Sequence, residues 1–355
     1  MTVLKKILRE VYFVLRLPFI FLLKCVYPPR ARTSASFANI LIVRIDRMGD
    51  LILTLPLIDN LKLALPQAAI SIVVRPYLKE LAELIKSIDH IEVYDKIIPA
   101  AVKIRRAGYD LAIDMHCDYR FDSAFLAYIS AAPVRAGFRF GFKEIFFTHT
   151  ADPLRRPGKN MAQLNLELLK GLKIPVTVDT PKLDLGSRGA KDDIIAIHPG
   201  GFYATQRWDK SSFALLAKKL LGTYSLKIVV LGAPGEKDLV SDIVAGINDS
   251  RAQARLTDIK ALISVLSGCK LLICNNSGPM HLAGALGTPV VSLMGPTDPL
   301  RYSPAGKQAA VIRKDLACSP CSKGDCLSHA CMKAISIEDV FQAVKIILQK
   351  EYGIT

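Results

Sequence analysis

The sequence is poor in aromatic residues, with 7% Phe, Trp and Tyr over 355 positions and one tryptophan. Its apolar half is mainly Val, Ile, Leu and Ala. That balance disfavours a β-sandwich and suits buried parallel strands covered by helices. A chain of this length accommodates two ordinary domains, each with its own core. No zinc-finger spacing, aromatic RNA-binding signature or dense Lys/Arg run is present, which argues against nucleic acid as partner. The formal net charge of +15 then points to an anionic membrane surface or a phosphorylated small molecule. Paired C-x-x-C motifs are missing too. The cluster Cys318-x-x-Cys321, Cys326 and Cys331 reads as reduced structural thiols, with a zinc or iron–sulfur site as the alternative. Eight cysteines in a chain this long do not suggest a secreted disulfide scaffold.

A long apolar run is lacking at the N-terminus. Val11–Leu23 covers 13 residues and is interrupted by Arg16 and Pro18, short of the about 20 that a bilayer requires. Residues 1–33 carry seven cations against Glu10 alone, and five of them, Lys5, Lys6, Arg9, Arg16 and Lys24, share one arc of a helix. Such a segment suits a bilayer interface, its cations reaching anionic headgroups. A spanning helix, a signal peptide and a helix packed on the protein's own surface are the alternatives. No small-residue cleavage site precedes Pro28-Pro29.

Beyond the Pro28–Ser36 linker, strands and helices alternate, as in an α/β fold with parallel sheets. Strands are expected at Ile40–Ile45, Ile70–Val74 and Ala112–Met115, with helices from Asp50 and over Leu78–Ser87. The alternation restarts with strands at Ile194–His198, Lys227–Leu231, Leu271–Cys274 and Pro289–Leu293. Helices are expected at Ser212–Leu221, Glu236–Ile247, Ile259–Leu266 and Met280–Leu286. The implied organisation is a basic segment over 1–33, a doubly wound domain over 38–175, a hinge over 176–193, a second such domain over 194–335 and a helix over 336–355. The two domains are expected to face each other across a cleft.

Two polar seams interrupt this pattern at strand ends, Asp46–Asp50 and Asn275–His281. In open α/β sheets ligands bind at such ends. Helix N-termini there present unpaired N–H groups and a positive dipole end, which suits phosphate. Gly278 lets a ligand approach the backbone, Pro279 suits a first helical position, and Ser277 serves either as cap or as phosphate ligand.

Four stretches together carry a resemblance. They are ILIVRIDRMGDLILTLPLI, IAIHPGGFYATQRWDKSSFALLAKKL, NNSGPMHLAGALGTPVVSLMGPTDP and CSPCSKGDCLSHACMKAISIEDV. In this order the chain resembles glycosyltransferase family 9, the ADP-heptose:lipopolysaccharide heptosyltransferases. The resemblance implies a GT-B architecture of two Rossmann-like domains and an inverting, metal-free transfer of heptose from ADP-heptose to a lipopolysaccharide inner-core acceptor. Asp-x-Asp, used by metal-dependent glycosyltransferases, is absent from the sequence. The ADP-sugar would be a substrate, and no cofactor is expected. The family's general base is the Asp of a Gly-Asp pair, here Asp50 after Gly49; a helix N-cap is the structural alternative. Gly49, Thr205, Gln206, Arg207, Asn276, Ser277, Gly278, Met280 and His281 are expected around the donor, with Tyr203 as a further hydroxyl. Trp208 reads as core packing. The loop DMHCDYRFDSAF would face the acceptor through Asp114, His116 and Arg120, and an anionic acceptor would also favour Arg135 and Arg139.

Two positions depart from the family pattern. Gln206 stands where Lys is usual, and Asn276 stands where an Asp usually precedes Ser-Gly or Thr-Gly. They leave open a different nucleotide-sugar donor, or a non-catalytic protein that binds nucleotide-sugar or glycolipid. The expected setting is the cytoplasmic face of the inner membrane, with peripheral attachment.

Overall fold

The computed structural model describes residues 37–140, 143–153, 158–186, 190–306 and 308–354. The basic segment expected over residues 1–33 lies outside the described residues. The chain divides into two compact units. The first holds the chain up to Asp46, Leu57–Pro157 and Leu164–Thr177; the second holds Arg47–Pro56, Gly158–Gln163 and Val178–Thr355.

In the first unit six strands form one sheet: β1 (Asn39–Val43), β2 (Ala69–Val74), β3 (His90–Val93), β4 (Leu111–Asp114), β5 (Val134–Phe138) and β6 (His149–Ala151). Their order is β3-β2-β1-β4-β5-β6, and every pairing is parallel. Ile40–Val43 are fully buried because a parallel sheet is covered on both faces, which is why β1 reads as an unbroken apolar run. The helices met up to residue 171 are α1 (Met48–Ile52), α2 (Leu55–Ala64), α3 (Lys79–Ala82), α4 (Ile97–Ala107), α5 (Phe121–Ile129) and α6 (Met161–Gly171). Ala100 and Ile104 of α4 pack with Leu126 and Ala127 of α5 on Leu41 and Val43.

The second unit repeats the plan with β7 (Asp192–His198), β8 (Lys227–Gly232), β9 (Ala252–Leu256), β10 (Cys269–Asn275), β11 (Val290–Leu293) and β12 (Ala309–Ile312). The order is β12-β11-β10-β7-β8-β9, again all parallel. Its helices are α7 (Lys210–Thr223), α8 (Lys237–Ile247), α9 (Ile259–Gly268), α10 (Gly278–Ala285), α11 (Pro299–Tyr302), α12 (Ala330–Lys333) and α13 (Ile337–Tyr352). Local chemistry fixes several starts: Asp209 accepts the Ser211 N–H at 2.8 Å, and Asp258 the Ala261 N–H at 2.8 Å. Ser336 and Asp339 cap α13 reciprocally.

Each sheet thus has the doubly wound order in which the chain reverses direction between its first and fourth strands, and the crevice there is the usual ligand position. These points fall between β1 and β4 and between β7 and β10. Three expectations differ from what is observed. The helix expected over 78–87 is reduced to α3, because Leu84 and Ile85 close short bonds back to Leu81 and Ala82 that tighten the chain into turns. Residues 47–56, expected with the first domain, group with the second unit because α1 packs on α10. The C-terminal helix is no separate segment: Val340, Val344 and Leu348 of α13 join the second unit's core with Phe213 and Trp208. No described helix is long and apolar enough to cross a membrane.

Gly284 in α10 marks a tight contact. A Cβ there would lie 2.5 Å from the Ala305 carbonyl oxygen and 3.0 Å from its nitrogen. Gly284→Ala is therefore expected to lower unfolding stability by about 1–3 kcal/mol in denaturant titration. A loss within about 0.5 kcal/mol, the range of an ordinary surface change, would show that the 305 backbone yields freely.

Candidate functional site

The seam after β10 is built around amides. Asn275 is fully buried; its Oδ1 accepts the Trp208 N–H at 3.0 Å, and its Nδ2 donates to the carbonyls of Pro199 at 2.7 Å and Gly200 at 3.3 Å. One side chain thus ties the loop after β7 to the end of β10. Asn276 Nδ2 donates to Thr297 Oγ1 at 2.8 Å, and Gln206 Nε2 donates to the same oxygen at 3.2 Å. The two departures from the family pattern meet at one hydroxyl.

Ser277 occupies the N-cap position of α10 without capping it, since its hydroxyl donates to the Asn275 carbonyl at 3.2 Å. Among the described residues no side chain caps the first turn of α10, where Gly278 and Pro279 stand. Against this end packs α1. A Cβ on Gly278 would lie 3.1 Å from Met48 Cβ and 3.5 Å from the Gly49 nitrogen, and one on Gly49 would meet His281 Cδ2 at 2.8 Å. Both glycines are required by this approach. Asp50 follows Gly49 as the third residue of α1 and is half-buried. The N-cap position belongs to Arg47, so Asp50 is not the cap that was its structural alternative.

His281 is buried against Gly49, and its Nδ1 has no hydrogen-bond partner among the described residues. Burial pulls its pKa down to about 4, so the ring is neutral at pH 7 and offers a phosphate no charge. Met280 is fully buried and acts in the core. Charge comes from elsewhere. Arg207 is exposed and donates through Nε at 2.9 Å and Nη2 at 2.7 Å to the Gly201 carbonyl. Arg47, also exposed, lies 3.5 Å above the Phe202 ring and 5.8 Å from that of Tyr203. Arg47 escaped the sequence reading; its signal was an arginine three residues before Asp50, on the same polar seam. Thr205 is buried with its hydroxyl donated to the Lys323 carbonyl at 2.8 Å, which makes it an anchor of its loop. Trp208 is core, its Nε1 donating to the Ile335 carbonyl at 3.0 Å.

In the first unit the loop after β4 is organised from within. Asp114 and His116 are wholly buried, and His116 Nδ1 lies 2.9 Å from Asp114 Oδ1. Lys143, buried as well, donates to the His116 carbonyl at 2.8 Å and lies 3.4 Å from Asp114 Oδ2. Burial alone would raise the Asp114 pKa, but the Lys143 ammonium and the His116 bonds hold it well below the usual carboxylate range. Asp114 and His116 therefore have no surface to offer a ligand in this conformation. Arg135 is likewise committed, donating to the carbonyls of Phe146 at 2.7 Å and Ala132 at 2.5 Å. Arg120 is partly exposed but paired twice with Asp122, at 3.0 and 2.5 Å, and Arg139 is exposed. Asp46, another residue missed, accepts from Arg44 at 3.0 Å beside His116. Cys318, Cys321 and Cys326 are exposed free thiols and Cys331 is a buried one. Among the described residues no three His, Cys, Asp or Glu side chains gather to hold a metal.

The buried His281 makes a pH prediction. Its folded pKa is about 4 against an ordinary 6.5, so between those values the unfolded chain binds the extra proton. Its contribution is complete above pH 6.5 and is lost as pH falls towards 4, by up to about 3 kcal/mol. Urea titrations of His281→Leu are expected to show a flatter pH dependence over that window. An unchanged slope would mean that the ring protonates in the folded protein.

Comparison with known proteins identifies the family. Residues 100–331 match the model of glycosyltransferase family 9 (heptosyltransferase). A lipooligosaccharide heptosyltransferase 2 of Campylobacter jejuni is 31% identical over 192 residues, which are 52% of this chain and 59% of that protein. The chain thus spans about three-fifths of the length of that relative. A lipopolysaccharide heptosyltransferase 2 of Salmonella typhimurium is 24% identical, with 88% of this chain and 99% of that one aligned. The structure of the E. coli ADP-heptose LPS heptosyltransferase II superposes with a TM-score of 0.74 at 21% identity, covering 88% of this chain and 99% of the other. A family 9 glycosyl transferase structure from Veillonella parvula gives 0.75 at 23%, covering 88% and 98%. These structures share the fold of two parallel six-stranded sheets, which is the GT-B arrangement. By family model, strand order and site loops together, the chain belongs to glycosyltransferase family 9.

Proposed function

We propose that the protein transfers a heptose from ADP-heptose to a lipid-linked lipopolysaccharide core, with inversion and without a metal. The observation that carries this reading is the contact of α1 with the start of α10, which sets the Asp50 helix against an N-terminus that no described side chain caps. The N–H groups and dipole of α10 suit a diphosphate, and Arg47 and Arg207 supply cations on the same unit. In the transfer Asp50 takes the proton of the acceptor hydroxyl, whose oxygen bonds to the anomeric carbon. The bond from that carbon to the diphosphate oxygen breaks on the opposite face, and the nucleotide leaves with the electron pair. The names of the relatives support heptose and lipopolysaccharide as substrates. The exposed Arg139 suits an anionic core sugar. Such an acceptor places the enzyme at the cytoplasmic face of the inner membrane, with residues 1–33 as a peripheral contact.

A second reading, a member that binds without turnover, draws on Gln206 and Asn276, which both bond to Thr297 and add no charge. Asp50→Asn separates the two. For the transferase, ADP affinity stays within a few-fold and turnover of ADP-heptose with a core acceptor falls by about 10²–10⁴. Turnover preserved within a few-fold would remove Asp50 from the chemistry, and absent turnover in the unaltered protein would favour the binder. Arg47→Ala is expected to weaken ADP binding about tenfold, the loss of one charge-assisted contact. Equal affinity by calorimetry would leave Arg47 as a packing partner of Phe202 only.

A further inference from the structure

Helix α4 is amphipathic in an unusual sense: its inner side is apolar and packed, and its outer side is apolar at the centre and cationic around it. Ala100 and Ile104 are buried under it. On the opposite side Ile98 is 74% exposed and Val102 45% exposed, one helical turn apart. At about 100° per residue Arg105 projects on one side of this pair and Arg106 and Lys103 on the other. From Asp95 to Ala107 the chain carries four cations, Lys96, Lys103, Arg105 and Arg106, against that one aspartate. The next acids along the chain are Glu92, 3.5 Å from Lys103 in an exposed pair of small worth, and Asp110, which is buried and accepts from the N–H groups of Ala38 and Asn39. The first turn of α4 follows β3, at the carboxyl edge of the sheet, where the β4 loop with Arg120 also lies.

We propose that the outer face of α4 is a membrane-contact surface, which places Ile98 and Val102 among anionic lipid headgroups with Lys103 and Arg106 flanking them. Charge complementarity selects this occupant: apolar side chains bordered by cations along the last turns of the helix fit an interface that is apolar below and anionic above. The inference rests on the lipid-linked acceptor of the proposed function and adds where the first unit meets that lipid. It is independent of residues 1–33.

The test uses the full chain with Ile98→Trp, because the native Trp208 is buried and supplies a constant background. With vesicles of phosphatidylcholine and phosphatidylglycerol, emission of the introduced indole shifts to the blue and is quenched by bromine on the acyl chains. With phosphatidylcholine alone both effects are much smaller. A control variant, Leu63→Trp, places the probe on α2, where Leu63 is 64% exposed. Right-handed crossovers put α2 on the other face of the sheet, so the control emission stays unquenched. Lys103→Gln with Arg106→Gln lowers partition onto the anionic vesicles roughly tenfold, about fivefold at most being due to each cation. An unquenched probe at position 98 in a chain that sediments with the vesicles overturns the proposal, and so does equal quenching at positions 63 and 98. A doubled mass in solution with the position 98 probe shielded assigns the face to a second copy and overturns it too. Transfer onto detergent-dispersed acceptor, measured on the same variants, keeps failure of the surface distinct from failure of the transferase reading.

Discussion

The close approach of two glycines is the constraint on which the site depends. Gly49 and Gly278 let α1 and α10 meet with almost no side chain between them, and His281 fills the space that a Cβ on Gly49 would need. This contact fixes Asp50 beside a helix start that has been left without a side-chain cap. A helix N-terminus carries the positive end of its dipole, so an acidic residue is well tolerated near it. One packing contact therefore sets the spacing between the Asp50 helix and the start of α10.

Around that contact, the amides and hydroxyls that hold loops are buried, while the arginines stay exposed. Asn275 commits its whole amide to backbone, Thr205 anchors on the 323 carbonyl, and His281 is kept neutral by burial. Arg47 and Arg207 stay at the surface, both resting on the short loop of Gly201, Phe202 and Tyr203. In the first unit the Asp114, His116 and Lys143 group does the corresponding structural work at the end of β4. Low local dielectric makes such groups costly unless satisfied, which is why they define their loops so firmly.

The sequence revealed the central strands and the polar seams, because buried parallel strands are continuous apolar runs and the seams break them abruptly. Strands β1, β2, β4, β7, β8, β10 and β11 fall within a few residues of their expected places. Of the four edge strands, β3, β6 and β9 carry exposed or polar residues, His90, His149 and Arg255 among them, and β12 is apolar but only four residues long, so none left a long run to read. Gly49 and Gly278, one from each seam, lie against each other. Burial was not legible: His116, Thr205 and Arg135 look like ligand residues in a string of letters, yet all three are buried, and bonds to residues 114, 323 and 146 hold His116 Nδ1, Thr205 Oγ1 and Arg135 Nε. Arg47 was hidden for the converse reason, since nothing local announces its stacking on Phe202, far along the chain.

Through the hydroxyl of Thr297, two distant positions of the chain share one acceptor. Gln206 and Asn276 donate to the same oxygen, so their identities depend on one another. The usual family pair, Lys and Asp, would place opposite charges at these two positions, whereas a chain with only one of them exchanged would hold a single charge beside an amide. Exchanging either residue alone would leave the Thr297 hydroxyl shared between unlike groups, so substitutions at the two positions are expected to be non-additive.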